Sequence, residues 1–191
     1  MSKIVLMGDS ITEYMPYIYK GHIGNDGDEV SYFGVENIGV GSYMNYCWPR
    51  VDHDNVDVYV LLIGTNNISR PDCDYDERET LDDLVEKLKE FINMINVTGA
   101  RLIVQSIYPT KYPIRIDDIK FVNEKVSEYC EENRIDYLNM HDLLKDDEGL
   151  FNKEYSDDGI HPNAVGYSLI AEEITKKINN RYCKKLIPDK K

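Results

Sequence analysis

Lys3-Ile-Val-Leu-Met-Gly-Asp-Ser-Ile-Thr12 is the stretch from which the rest of the chain is read. Ile4 to Met7 form a short continuous apolar run that breaks at Gly8 and hands over to Asp9, Ser10 and Thr12. Such a run reads as a strand buried on both faces, and open α/β sheets place their chemistry outside the carboxyl ends of such strands. Glycine lets the backbone turn tightly there. A serine at this hand-over serves as a nucleophile or as the N-cap of the next helix, and local sequence alone favours the cap. The remainder of the chain has to decide between them.

Outward from this strand, further apolar runs recur. Tyr32 to Ile38 reads as a second strand leading into Gly39-Val-Gly-Ser42, and Val56 to Ile63 as a third leading into Gly64-Thr-Asn-Asn67. Arg101 to Gln105 reads as a fourth and Ile135 to Asn139 as a weaker fifth. Between them lie helical patterns. Leu81, Leu84, Val85, Leu88, Phe91, Ile92 and Ile95 recur at three- and four-residue steps until Gly99, with acids opposite. Ile119, Val122, Val126, Tyr129 and Cys130 mark a second helix; Val165, Leu169, Ile170, Ile174 and Ile178 mark a last one. Leu143 to Tyr155 reads as irregular. Alternating strands and helices imply a three-layer α/β/α sandwich with a five-stranded parallel sheet and flavodoxin-like topology. In that topology the loops after the first three strands share one sheet edge, which gathers Ser10, Gly41-Ser42 and Asn66.

The 191 residues suit a single domain over 1–183, with a frayed lysine-rich tail at 184–191. Basic residues number 22 against 35 acidic, a net charge of -13, which disfavours nucleic acid and anionic membrane as partners. The acids between Asp72 and Glu90 read as a solvated helix face. No run approaches the length of a membrane span, and the opening apolar run is too short for a signal-peptide core. Cys47, Cys73, Cys130 and Cys183 lack metal or redox spacing, so free thiols in a reducing cytoplasm are expected, with Cys130 in the core. No His/Asp/Glu cluster has ligand spacing, so neither a metal nor another cofactor is expected.

A serine acyl-transfer site needs a base, an orienter for it, and donors facing the oxyanion. Of the four histidines, His22 and His53 suit surface or structural roles, and His141 suits capping the segment after the fifth strand. His161 differs. Asp158 precedes it by three residues in a loop held by Gly159 and Pro162, a spacing that lets the carboxylate reach Nδ1 and leaves Nε2 for a hydroxyl.

In combination these pieces resemble the GDSL or SGNH hydrolase family of esterases and lipases, in order along nearly the whole chain. Gly8-Asp9-Ser10-Ile11 matches its first block with isoleucine for the usual leucine, Gly64-Thr65-Asn66 its third, and Asp158-Gly159-Ile160-His161-Pro162 its last. The resemblance implies Ser10 as nucleophile, His161 as general base and acid, Asp158 as its orienter, and Asn66 with the Ser10 N–H as oxyanion donors. In the second block Ser42 stands where a glycine donor is usual, and Gly41 is the alternative if the loop shifts by one. Asn67 replaces a frequent aspartate and reads as loop support.

The expected activity is therefore carboxylic ester hydrolysis on a small-molecule substrate. No lid-sized insertion is evident, which favours short acyl groups. Tyr14, Tyr17, Tyr43, Tyr46, Trp48, Tyr108 and Tyr112 fall near the site loops, where rings either stack on a sugar or pack the loops. An acetylated carbohydrate is the leading substrate, ahead of a lysophospholipase or thioesterase specificity. Arg70 and Arg115 read as solvated surface rather than anion ligands. A non-catalytic binding module sits poorly with an intact Ser10, Asn66, Asp158 and His161, and a nucleotide binder lacks a phosphate-loop motif.

Overall fold

The computed structural model describes residues 1–69 and 80–180. In chain order its elements are β1 (Lys3–Gly8), α1 (Ser10–Ile18), β2 (Glu29–Gly34), α2 (Val40–Ser42), β3 (Val58–Leu62), α3 (Thr65–Ser69), α4 (Leu81–Asn96), β4 (Arg101–Gln105), α5 (Ile116–Glu132), β5 (Asp136–Leu138), α6 (Met140–Leu144) and α7 (Ala164–Asn179). The sheet is five-stranded and parallel throughout, in the order β2-β1-β3-β4-β5, as expected of the sandwich. Arg70, Cys73, Cys183 and the expected frayed tail lie outside the described residues.

Alternation along β1 builds the two faces, because successive strand side chains point to opposite sides. Val5 and Met7 join Leu84, Leu88 and Phe91 of α4 and Ile119, Val122 and Val126 of α5 in one core. Ile4 and Leu6 join Ile11 and Met15 of α1 and Tyr167, Ile170 and Ile174 of α7 in the other. Phe91 is fully buried; truncating such a ring to alanine typically costs about 3–5 kcal/mol. Cys130 belongs to the first core, and burial pushes its thiol up to about 12; Cys47 is buried and also unpaired. Neither is a reactive thiol.

Helix ends follow local chemistry. Thr80 and Asp83 form a reciprocal capping box at the start of α4, and Gly99 at φ +84 turns the chain after its end. Asn163 caps α7 through the N–H groups of Val165 and Gly166. Acidic residues Asp82 and Asp83 sit in the first turn of α4, where the helix dipole favours them.

Three expectations shift. The second strand runs Glu29–Gly34 rather than Tyr32 to Ile38. It pairs Lys3↔Glu29 through Gly8↔Gly34 at the sheet edge, so its exposed polar residues Glu29 and Ser31 hide it from an apolar-run reading. Val165 is half-exposed at the start of α7 rather than on its buried side. Met140–Leu144 is a short helix, capped by Asn139, and includes residues expected to be irregular. Among the described residues no helix is long and apolar enough to cross a membrane.

Candidate active site

The site is assembled at the carboxyl edge of the sheet. Gly8 aligns with both Gly34 and Leu62 in register, so the exits of β1, β2 and β3 end side by side. A Cβ at Gly8 would stand 1.8 Å from the Leu62 carbonyl oxygen, so only glycine permits this approach. Asp9, not Ser10, is the cap of α1: its Oδ1 accepts the Ile11 N–H at 3.0 Å. Ser10 therefore opens the helix as its first residue, 9% exposed, with its hydroxyl free for other work.

That hydroxyl meets His161. Ser10 Oγ lies 2.9 Å from Nε2, and Nδ1 of the same ring lies 2.7 Å from Asp158 Oδ2. The other carboxylate oxygen of Asp158 accepts the backbone N–H groups of His161 at 2.7 Å and Ile160 at 2.8 Å. Partial burial alone would push this carboxyl up; the hydrogen bonds from the His161 ring and the two N–H groups outweigh it and hold it at about 2. Asp158 is thus a carboxylate across the neutral range. Ser156 organises the loop, donating from Oγ to the His161 carbonyl at 2.7 Å and accepting the Gly159 N–H at 2.9 Å. Sequence reading passed over Ser156, though a serine two residues before Asp158 in a turn is a known pattern for such side-chain-to-backbone bonds.

Asn66 and the second-block loop lie together, as the sheet order requires. Asn66 Nδ2 donates to the Ile38 carbonyl at 2.9 Å, and Asn67 Oδ1 accepts the Val40 N–H at 3.1 Å, the loop-support role expected of it. The loop enters α2 with Gly39 as its cap. Ser42 has φ -66 and ψ -39, ordinary right-handed helical angles that serine adopts without strain. First-turn N–H groups of a helix have no acceptor within it. That of Val40 is taken by Asn67, and those of Gly41 and Ser42 follow it.

Asp9 is the least comfortable group in the neighbourhood. Burial pushes its carboxyl up to about 6 against the Ile11 N–H and the His161 charge, which both lower it. Its Oδ2 is buried with no hydrogen-bond partner among the described residues. Tyr14, one helical turn after Ser10, lies with its ring 5.2 Å from the His161 ring.

The other candidates go elsewhere. His22 contacts the Asn25 carbonyl through Nε2, and His53 bridges Tyr59 Oη and the Trp48 carbonyl. His141 is buried beyond β5, where Asn139 rather than His141 caps α6 and burial lowers the imidazole's pKa despite Asp142. It lines a groove of about 290 Å³ with Lys120, Tyr137 and Asp142, a groove that includes neither Ser10 nor His161. Tyr43 and Tyr108 are core residues, and Trp48 packs against His53, Tyr59 and Phe91. Tyr17 and Tyr46 are largely exposed. Arg115 pairs with Asp118 at the surface, as expected. Among the described residues no group of three or more His, Cys, Asp or Glu side chains is arranged to hold a metal ion.

Residues 6–169 match the GDSL-like lipase/acylhydrolase family. The chain belongs to that family. This GDSL acylhydrolase shares its fold with solved structures. A GDSL-like lipase from Bacteroides thetaiotaomicron superposes with a TM-score of 0.74 at 20% identity, covering 93% of this chain and 88% of that one. A lipase/acylhydrolase from Enterococcus faecalis gives 0.70 at 19% identity, covering 93% and 95%. A catalytic mutant of an acetylxylan esterase from Geobacillus stearothermophilus gives 0.71 at 17% identity, covering 93% and 94%. In sequence, the GDSL acylhydrolase is 29% identical over 181 residues to an N-acylneuraminate cytidylyltransferase from Escherichia coli. The match takes in 92% of this chain but spans only 40% of that protein's length.

Proposed function

We propose that this GDSL acylhydrolase removes short acyl groups, acetyl foremost, from esters on a carbohydrate, using Ser10, His161 and Asp158 through an acyl-enzyme. The observation that carries the reading is the unbroken line of contacts from Ser10 Oγ to His161 Nε2, 2.9 Å, and from His161 Nδ1 to Asp158 Oδ2, 2.7 Å.

In this mechanism Nε2 takes the Ser10 proton as Oγ bonds to the ester carbonyl carbon. Asp158, a carboxylate held by its hydrogen bonds, stabilises the imidazolium and fixes its tautomer. The negative charge on the former carbonyl oxygen faces the Ser10 N–H, the Asn66 amide and the N–H of Ser42 or Gly41. Asn66 spends one amide hydrogen on Ile38, which aims the other. Nε2 then returns its proton to the departing alcohol. Water, deprotonated by the same nitrogen, attacks the acyl-enzyme; the acid leaves and Ser10 regains its proton.

The sugar assignment rests on chemistry of the surroundings. The exposed rings of Tyr17 and Tyr46 and the half-exposed Tyr112 offer flat apolar faces on the segments that follow β1, β2 and β4. Among the structural neighbours is an acetylxylan esterase, and the Escherichia coli relative is by name an N-acylneuraminate cytidylyltransferase. The first supports an acetyl ester on a carbohydrate; the second supports a sugar but not an ester, because its N-acyl group is an amide.

A serine-reactive fluorophosphonate, followed by mapping of the adduct, tests the triad. Labelling at Ser10 that disappears in His161→Ala is expected; labelling elsewhere overturns the assignment. Turnover of p-nitrophenyl esters should fall as the acyl chain lengthens from acetyl, and a rise would rule out the short-acyl reading. Release of acetate from acetylated sugars, against simple acetate esters, tests the carbohydrate part.

A further inference from the structure

Hydrogen bonds hold the His161 ring at its two nitrogens, Nε2 toward Ser10 and Nδ1 toward Asp158. What else holds the ring is packing. The Tyr14 ring lies 5.2 Å from it at 48°, within the range of favourable ring contacts. Tyr14 is four residues after Ser10 on α1, so nucleophile and ring share one helix face. Its other end is also held, because Tyr14 Oη donates to Glu36 Oε2 at 2.9 Å.

Glu36 belongs to the loop that leaves β2, two residues before Ile38, whose carbonyl holds the Asn66 amide. One line of contacts therefore runs from His161 through Tyr14 and Glu36 into the backbone that carries Asn66 and opens α2. We infer that Tyr14 is a positioning residue, which packs against the His161 imidazole and, through Glu36, locks the general base to the loop of the oxyanion donors.

The inference rests on the proposed role of His161 and adds to it. The base gains a positive charge only as the transition state forms, and an aromatic ring beside a cation stabilises it electrostatically. The Glu36 carboxylate, by accepting a hydrogen bond from the phenol, leaves the ring more electron-rich. Both effects act in the transition state rather than on bound substrate, so they belong in kcat and not in KM.

The test compares Tyr14→Leu, Tyr14→Phe, Glu36→Ala and His161→Ala with the unaltered protein on p-nitrophenyl acetate, each checked for a cooperative thermal melt. Tyr14→Leu should lower kcat about tenfold, equivalent to about 1.4 kcal/mol, with KM within twofold. Tyr14→Phe, which keeps the ring and loses the Glu36 bond, should recover most of that loss and match Glu36→Ala at a two- to threefold deficit. A Tyr14→Leu enzyme with unaltered kcat overturns the inference. So does a loss confined to KM, which would make the ring a substrate contact. If Tyr14→Leu does not melt cooperatively, Glu36→Ala decides, because Glu36 is exposed: unchanged kcat there overturns the lock. Near-normal turnover by His161→Ala would instead sink the underlying triad reading.

Discussion

Asn67 of α3 holds the N–H of Val40, the first residue of α2, through its side-chain oxygen, a buried 3.1 Å contact between residues 27 apart in the chain. The bond registers the turn after β3 against the turn after β2, and so sets where Asn66 stands relative to the first turn of α2. Asn67→Ala would leave a buried N–H without a partner, a loss of about 1–3 kcal/mol, and would loosen the oxyanion side of the site. Asn67→Asp keeps an acceptor in the same place. Thermal melts with ester turnover should rank the alanine variant clearly below the aspartate variant in both. Equal behaviour of the two would show that the Val40 bond does not matter.

Asn66 secures Ile38 through one amide hydrogen at 2.9 Å and keeps a second for the proposed oxyanion. Removing a single oxyanion donor typically costs about 10²–10³ in turnover. Asn66→Ala should show that loss in kcat on p-nitrophenyl acetate while its far-UV spectrum stays native. Turnover close to that of the unaltered protein would take Asn66 out of the site.

The sheet and the cluster were readable for a shared reason. Ile4 to Met7, Val58 to Leu62 and Arg101 to Gln105 are central strands buried on both faces, and such strands spell themselves as apolar runs. Their order brings the loops that carry Ser10, Asn66 and Gly41-Ser42 to one sheet edge. The edge strand Glu29–Gly34 was misplaced because its Glu29 and Ser31 face solvent and break the run. Local sequence favours Ser10 as the cap of α1, yet Asp9 beside it is as good a cap residue, and it is the Asp9 side chain that takes the Ile11 N–H. The tyrosines could not be sorted by sequence at all. Tyr43 and Tyr108 are core residues and Tyr14 supports a histidine, distinctions that depend on which way each loop folds over the sheet.

Asp9 should reveal itself through pH. An unfolded aspartate ionises near 3.8, whereas burial moves this one to about 6 in the folded protein. Between those values the folded state keeps a proton that the unfolded chain has lost. The raised value therefore favours folding fully below about pH 4, and that contribution is lost as pH rises through 6. Above pH 6 the buried charge is a standing cost on the order of 2–3 kcal/mol. Asp9→Asn retains a capping oxygen for the Ile11 N–H and removes the charge. Its melting temperature should exceed that of the unaltered protein at pH 8, with the advantage shrinking toward pH 4. A difference that does not change with pH would mean that Asp9 titrates normally.

Asp158 calls for the opposite sign and a subtler variant. Its carboxyl is held at about 2, so its stabilising bonds are present above the unfolded value near 3.8 and are lost only as pH falls through 2. Half of the side chain is exposed, and solvent screening keeps that contribution to stability small. Its weight falls on the His161 tautomer instead. Asp158→Asn preserves an oxygen for the Ile160 and His161 N–H groups, so the loop should keep its shape and its melting temperature. An amide N–H facing Nδ1, however, requires that nitrogen to accept, which puts the proton on Nε2 where Ser10 needs a base. Turnover should drop by as much as about 10⁴, with fluorophosphonate labelling of Ser10 slowed in parallel. Asp158→Ala, which also strips the two backbone bonds, should lose thermal stability as well. If Asp158→Asn turns over esters normally, the carboxylate is only a loop brace.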